Sequence, residues 1–349
     1  AMDMEDLVVL RLAASDPDAY LEPDGRTARF GTEHDTIRVR DGAPVAVTHR
    51  FSAHGPVLHV DTARGLAYAL RAAWLERGTA PYLASLRLDQ ATTWGEFRAG
   101  LAFARTPALN WVYGDTRGTI AWQAAGIAPI RRGFSGLVPV SPRFGWSGFL
   151  DIAALPGAVN PRRGFVHSAN EYNVPAGYAH LDAITPGGWA EPWRAQRIAQ
   201  VLDSLPRATL LDMARLQHDD TDLAARHVLR LLGRCRLALG DSGLAAASRV
   251  DVRAAAAREL LARWDGRTTA TSPAALVYRG TENALRRLAG QPAPSLERLP
   301  ALIEQAHRDD PTCGGALRTA LAAGAELALR REPGDTAGPA RLTGGALTW

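Results

Sequence analysis

The sequence predicts an α+β protein, strand-rich in its first half and helical in its second. Two observations carry this reading. Up to about residue 175, short runs of β-forming residues alternate with turn signals. Beyond about Trp193, apolar residues recur at the three-to-four spacing of one helix face. With 349 residues the chain can bury one large core or two smaller ones. The organisation expected is a sheet-rich part over 1–175, a mainly helical part over 176–332, and a Gly/Pro-rich tail over 333–349 whose stretch from Pro333 to Gly345 has the composition of a disordered segment.

Taken in order, Leu7 to Leu12, Thr36 to Arg40 and Val45 to Phe51 read as strands. The turns Asp24-Gly25 and Asp41-Gly42 between them mark antiparallel hairpins. The Ala-rich stretch from Gly65 to Trp74 reads as a helical interruption, as does Trp94 to Ala104, and a hairpin over Trp111 to Ala124 returns to strand. After Trp193 the pattern is helical. Thr209-Leu210-Leu211-Asp212 has the form of a capping box, in which hydroxyl and carboxylate each satisfy a backbone N–H at the helix start. Ala224, Val228, Leu231 and Leu232 form one apolar face, and Val252, Ala256, Leu260 and Trp264 form another.

Composition removes several chemistries. All 40 basic residues are Arg, so a Schiff-base lysine, a phosphate-loop lysine and a Ser-x-x-Lys pair are excluded. Neither Ser135 nor Ser147 stands in a Gly-x-Ser-x-Gly elbow. A net charge of +4, with arginines spread along the chain, argues against nucleic acid as partner. No apolar run approaches the ~20 residues that span a bilayer, and no signal-peptide pattern opens the chain. Cys235 and Cys313 are too few for a disulfide framework or a thiolate metal site. His49, His54 and His59 recur every five residues, a spacing that throws successive strand residues to opposite faces and does not build a three-His site. His218, Asp219, Asp220 and Asp222 fall between two expected helices, where aspartates cap.

One stretch ends on a side chain with chemistry to offer. Asn160-Pro161-Arg162-Arg163-Gly164-Phe165-Val166-His167-Ser168-Ala169-Asn170 opens on an Asn-Pro turn, reverses at Gly164 and delivers an amide at its end. Such an amide can donate to a developing oxyanion, a contact worth about 2.7–4 kcal/mol in a transition state, or it can cap the next turn. Upstream stand His54-Gly55-Pro56-Val57, then the hairpin Asn110-Trp111-Val112-Tyr113-Gly114-Asp115-Thr116-Arg117-Gly118-Thr119-Ile120 with Gly126, Pro129 and Arg131 or Arg132 behind it, then Gly145-Trp146-Ser147-Gly148. Downstream stand Trp193-Arg194-Ala195-Gln196-Arg197-Ile198, Leu216-Gln217-x-Asp219 and Arg263-Trp264-Asp265-Gly266. In this order the set resembles the penicillin acylase family of N-terminal-nucleophile amidases, over roughly residues 3 to 280.

The resemblance implies helices sandwiching two stacked β-sheets. It also implies a catalytic β chain whose first residue is a nucleophilic Ser activated by its own α-amino group, of ordinary pKa about 7.7–8.0. It assigns Asn170 to the oxyanion hole and Arg194 to the neighbourhood of the acyl pocket. It further implies a structural Ca²⁺ held by Asp3, Glu5, Asp6 and Asp182, an ion that takes six to eight oxygen ligands, and no other cofactor. The match begins inside the family's catalytic chain, and the sequence here opens Ala1-Met2-Asp3, so the nucleophilic Ser is not among these residues. The expectation is an interior piece, inert by itself and with uncovered sheet edges, completed by N- and C-terminal segments or a small α chain. Its substrate is expected to be a small acyl amide, and its location periplasmic or secreted, as is common in the family. Relatives take penicillins, cephalosporins, acyl-homoserine lactones or acylated peptides; the motifs around His54 and Asn110 lean toward the penicillin acylase branch. The alternative is a non-catalytic binding or scaffolding module of the same fold without the nucleophile.

Overall fold

The structure is a computed structural model that describes residues 2–80, 84–185, 187–233, 249–288, 303–304, 314–329, 341–343 and 346–348. Internal contacts divide the chain into one unit of Ala1–Ser168 with Tyr172–Trp189 and another of Ala169–Glu171 with Ala190–Trp349.

In the first unit, β1 (Glu5–Ala13), β2 (Asp16–Leu21), β3 (Thr27–Arg29), β4 (Gly31–Ile37), β5 (Val45–Ser52), β6 (Gly55–Asp61) and β7 (Leu66–Ala72) make one antiparallel sheet. Their order is β3-β2-β1-β7-β6-β5-β4. The expected strands at Leu7 to Leu12 and Val45 to Phe51 lie inside β1 and β5, while the one at Thr36 to Arg40 ends early at Ile37, before Asp41 turns the chain with φ 58°.

The expected helix from Gly65 to Trp74 is corrected: Leu66–Ala72 is the strand β7, paired on both sides, Val8 with Ala69 and Val60 with Ala67. Ala67 and Ala69 alternate into a core with Val8, Leu10, Tyr20 and Phe30. Alanine's preference for helix is weak and yields to two ladders of backbone hydrogen bonds and burial at period two.

The helix expected at Trp94 forms as α2 (Trp94–Leu101), after the short α1 (Ser85–Leu88), with the Thr93 hydroxyl accepting from the Glu96 N–H. The Trp111 to Ala124 hairpin is β8 (Leu109–Gly114) and β9 (Ile120–Ala125), and two further hairpin strands, β10 (Pro129–Arg131) and β11 (Trp146–Phe149), pair with each other. The strand β12 (Gly157–Val159) lies along β9 to give a sheet ordered β12-β9-β8.

The second unit holds α3 (Trp193–Ser204), α4 (Leu210–Gln217), α5 (Leu223–Leu232), α6 (Arg249–Ala262), α7 (Pro273–Leu288) and α8 (Gly314–Leu329). The capping box at Thr209 and Asp212 forms in both directions. The predicted α5 face of Ala224, Val228, Leu231 and Leu232 is buried, and Val228, Leu231 and Leu232 share a core with Ala256, Leu261, Val277, Tyr278 and Leu321. Trp264 lies just past the end of α6 and packs against that core. Of the Gly/Pro-rich tail, β13 (Arg341–Thr343) pairs with β14 (Ala346–Thr348); its other residues, like Cys235 and Cys313, lie outside the described residues. No helix among the described residues is long and apolar enough to cross a membrane.

Candidate active site around Asn170

Asn170 stands in the left-handed backbone region with φ 66°, a conformation that Asn tolerates better than other side-chain-bearing residues. The backbone around it is held on both sides. Its carbonyl accepts from Ala190 N–H at 2.7 Å, and Ala169 N–H donates to Glu171 Oε2 at 2.6 Å. From the first turn of α3, the Arg194 Nη2 donates to the Ala169 carbonyl at 2.7 Å and to Asn170 Oδ1 at 2.8 Å. A guanidinium has only donors, so the oxygen of the Asn170 amide is the end it holds. Nδ2 is thereby the donor end of an exposed residue's amide. That is the polarity an oxyanion needs. Asn170 and Arg194, the two sequence-predicted catalytic residues, are thus in direct contact.

Other predicted motifs meet in pairs. Arg197, one turn along α3, donates to Asp219 through Nε at 3.1 Å and Nη2 at 2.6 Å, joining the Trp193 motif to the Leu216 motif. This hydrogen bonding holds the Asp219 carboxyl down to about 2. Asp220 pairs with Arg267 at 2.7 Å, and Asp222 caps α5 through Ala225 N–H at 2.8 Å. These aspartates are therefore spent on arginines and a helix cap, and among the described residues no group of three acids, histidines or cysteines is placed to hold a metal. Arg194, Asp219 and Asp222 line a cavity of about 440 Å³ in the second unit. In the first unit, Asn110 Nδ2 donates to Ser168 Oγ at 3.0 Å and Asn173 Nδ2 donates to Asn110 Oδ1 at 3.3 Å.

Asp3, Glu5, Asp6 and Asp182 do come together, but around a cation the chain supplies itself. Arg131 is fully buried and donates through Nε to both oxygens of Asp6 at 3.0 Å. Its Nη1 donates to the Asp182 carbonyl at 3.2 Å, and its Nη2 to the carbonyls of Asp3 at 3.2 Å and Glu5 at 3.1 Å. Trp146 Nε1 donates to Asp6 Oδ2 at 2.5 Å. Glu5 and Asp182 are exposed residues that take part through carbonyl oxygens. Asp3 Oδ1 is 3.4 Å from the guanidinium, and burial still outweighs that attraction enough to raise the Asp3 carboxyl above its ordinary range. Both Asp6 carboxylate oxygens and the carbonyl oxygens of Asp3, Glu5 and Asp182 are thus directed at Arg131.

A pair of buried contacts went unread in the sequence. His54 Nε2 lies 3.0 Å from Glu22 Oε2, and Arg71 Nη2 lies 3.1 Å from His54 Nδ1. Gly55, with φ 124°, closes the turn behind His54, where a Cβ would come within 1.9 Å of the Leu70 carbonyl oxygen. The His54 ring bridges Glu22 and Arg71, 32 and 17 residues away, for which the local sequence carries no signal.

The model of the penicillin amidase family matches residues 1–343. The chain belongs to the penicillin amidase family. The penicillin acylase 2 proenzyme of Pseudomonas sp. (strain SE83) is 32% identical over 284 residues, covering 78% of this chain and 35% of that protein. The penicillin G acylase of Escherichia coli is 29% identical over 270 residues, covering 76% of this chain and 30% of that protein. The acyl-homoserine lactone acylase QuiP of Pseudomonas syringae pv. tomato is 28% identical over 298 residues, covering 79% and 34%. This family member therefore spans about a third of the length of the curated relatives it matches. Among solved structures, a thermostable penicillin G acylase from Alcaligenes faecalis superimposes with a TM-score of 0.67 at 20% identity, over 96% of this chain and 66% of that one. The fold is accordingly the α+β N-terminal-nucleophile hydrolase fold, with a largely helical second half.

Proposed function

We propose that this chain supplies the oxyanion-stabilising part of an amide hydrolase that transfers an acyl group through an N-terminal Ser contributed by a segment preceding Ala1 in a longer protein. The observation that carries the reading is the bond from Arg194 to Asn170 Oδ1, which leaves the N–H₂ as the donor end of that amide. In this reaction the Ser oxygen attacks the amide carbonyl and its α-amino group takes the hydroxyl proton. Asn170 Nδ2 and a backbone N–H from the missing segment hold the resulting oxyanion. The C–N bond then breaks, the amine leaves with the proton, and water releases the acyl group as a carboxylic acid by the same route in reverse.

The substrate proposed is a small acyl amide. Relatives named for penicillins and for acyl-homoserine lactones both support that class, and the resemblance of the His54 and Asn110 motifs favours the penicillin side. Export to the periplasm or medium, and a small α chain as partner, belong to the same proposal. The protein purified from its native host should carry a longer chain that begins with Ser, and it should hydrolyse chromogenic acyl anilides. A native chain beginning near Asp3, without partner or activity, would favour the scaffolding reading.

A further inference from the structure

The second unit contains a cavity that hydrolysis at Asn170 leaves unused. It measures about 520 Å³ and lies among α5, α6, α8 and the turn after α6. That volume falls within the about 300–1,000 Å³ of small-molecule sites. Its walls are apolar: Leu229 of α5, Leu261 of α6, and Leu317 and Leu321 of α8 line it together with the ring of Trp264.

Three arginines line the same cavity, Arg226 and Arg230 one turn apart on α5 and Arg258 on α6. Among the described residues none of the three is paired with a carboxylate, although neighbouring arginines are: Arg253 with Glu326 at 3.7 Å and Arg263 with Glu259. The one acid of the lining, Asp265, has its Oδ1 taken by Arg267 N–H at 3.0 Å. Arg226 is held in place, with Nε donating to the Asp265 carbonyl at 2.7 Å. Gly266 permits this, since a Cβ there would come within 2.6 Å of Arg226 Cγ. Arg230 Nη2 rests on His227 Nδ1 at 3.1 Å.

With one carboxylate, Asp265, among three guanidinium groups, the lining is positively charged on balance, and an anion there gains charge-assisted hydrogen bonds. Apolar walls beside them select a ligand that is not anionic throughout. A cation is repelled, and a neutral hydrocarbon leaves the arginines unanswered. We infer that this cavity binds an amphipathic anion, an aliphatic chain ending in a carboxylate, with its tail against Leu261, Leu317, Leu321 and Trp264 and its head among Arg226, Arg230 and Arg258. The site is separate from Asn170 and does not depend on the amidase reading.

The test is calorimetric titration of decanoate into the whole chain, beside decylammonium and decyl phosphate of equal tail length. Decanoate is expected to bind at one site, at least tenfold more tightly than decylammonium. The affinity should fall at least tenfold in an Arg230→Ala, Arg258→Ala double variant and in Leu229→Trp, which fills a half-buried wall position. Asn170→Ala should leave binding unchanged. Absence of decanoate binding, equal binding by decylammonium, or equal affinity in the arginine variant would overturn the inference. Tighter binding of decyl phosphate would overturn the carboxylate assignment, and loss of binding in Asn170→Ala would place decanoate in the acyl site instead.

Discussion

The Nη2 of Arg194 bridges Asn170 Oδ1 and the Ala169 carbonyl, so one guanidinium nitrogen fixes both the side chain and the preceding peptide of the residue proposed to hold the oxyanion. In the longer amidase proposed above, Asn170→Ala should lower kcat by about 10²–10³, as loss of a side-chain oxyanion donor does elsewhere. Arg194→Ala leaves the donor present but free to rotate, so kcat should fall by a smaller factor, with KM changing less than kcat. Steady-state kinetics on an acyl anilide checks both. A raised KM at unchanged kcat would make Arg194 a substrate contact rather than a positioning residue.

The Asp6–Arg131 pair carries a prediction about metal. Because the guanidinium fills the place between Asp3, Asp6 and the carbonyls of Glu5 and Asp182, chelation should leave the thermal midpoint unchanged. Arg131→Met removes the cation while Asp6 stays buried, and breaking such a pair costs about 3–5 kcal/mol. Urea unfolding measures the loss. A midpoint that drops with chelator and returns with Ca²⁺ would overturn this assignment.

His54 is expected to behave as a connector. Arg71 can only donate, so His54 Nδ1 is the acceptor, and Nε2–H is left to donate to Glu22. ¹⁵N chemical shifts should report that single tautomer. His54→Ala strands both partners in a site where Glu22 and His54 side chains are 13% exposed, and should cost about 1–3 kcal/mol. A variant as stable as the parent would mean that water replaces the ring at no cost.

What the sequence could and could not announce follows from the range of each interaction. The Thr209–Asp212 capping box and the α5 face were legible because every partner lies within a few residues. β7 was not, since Ala67 and Ala69 owe their strand conformation to β1 and β6 on either side rather than to their own preference. The role proposed for Asn170 rests in the sequence on an ordered set of motifs. The polarity of its amide was not legible, because that depends on which end faces Arg194, 24 residues away. The Asp6–Arg131 pair spans 125 residues and leaves no local trace.

Arg197 and Asp219 yield a pH prediction with a definite sign. The bidentate contact lowers the Asp219 carboxyl from its ordinary value to about 2, so the folded state binds a proton there less readily than the unfolded chain. The stabilisation is therefore fully present above the unfolded pKa of about 3.9 and is lost as pH falls through about 2. Both side chains retain some contact with solvent, 17% for Asp219 and 27% for Arg197, so screening limits the effect to about 1–2 kcal/mol. Asp219→Asn should be less stable than the parent by that amount at pH 7, and the gap should close between pH 4 and pH 2 in urea titrations run at each pH. A gap that persists at the acid end would show that the carboxylate's charge is not what joins α3 to the segment ahead of α5.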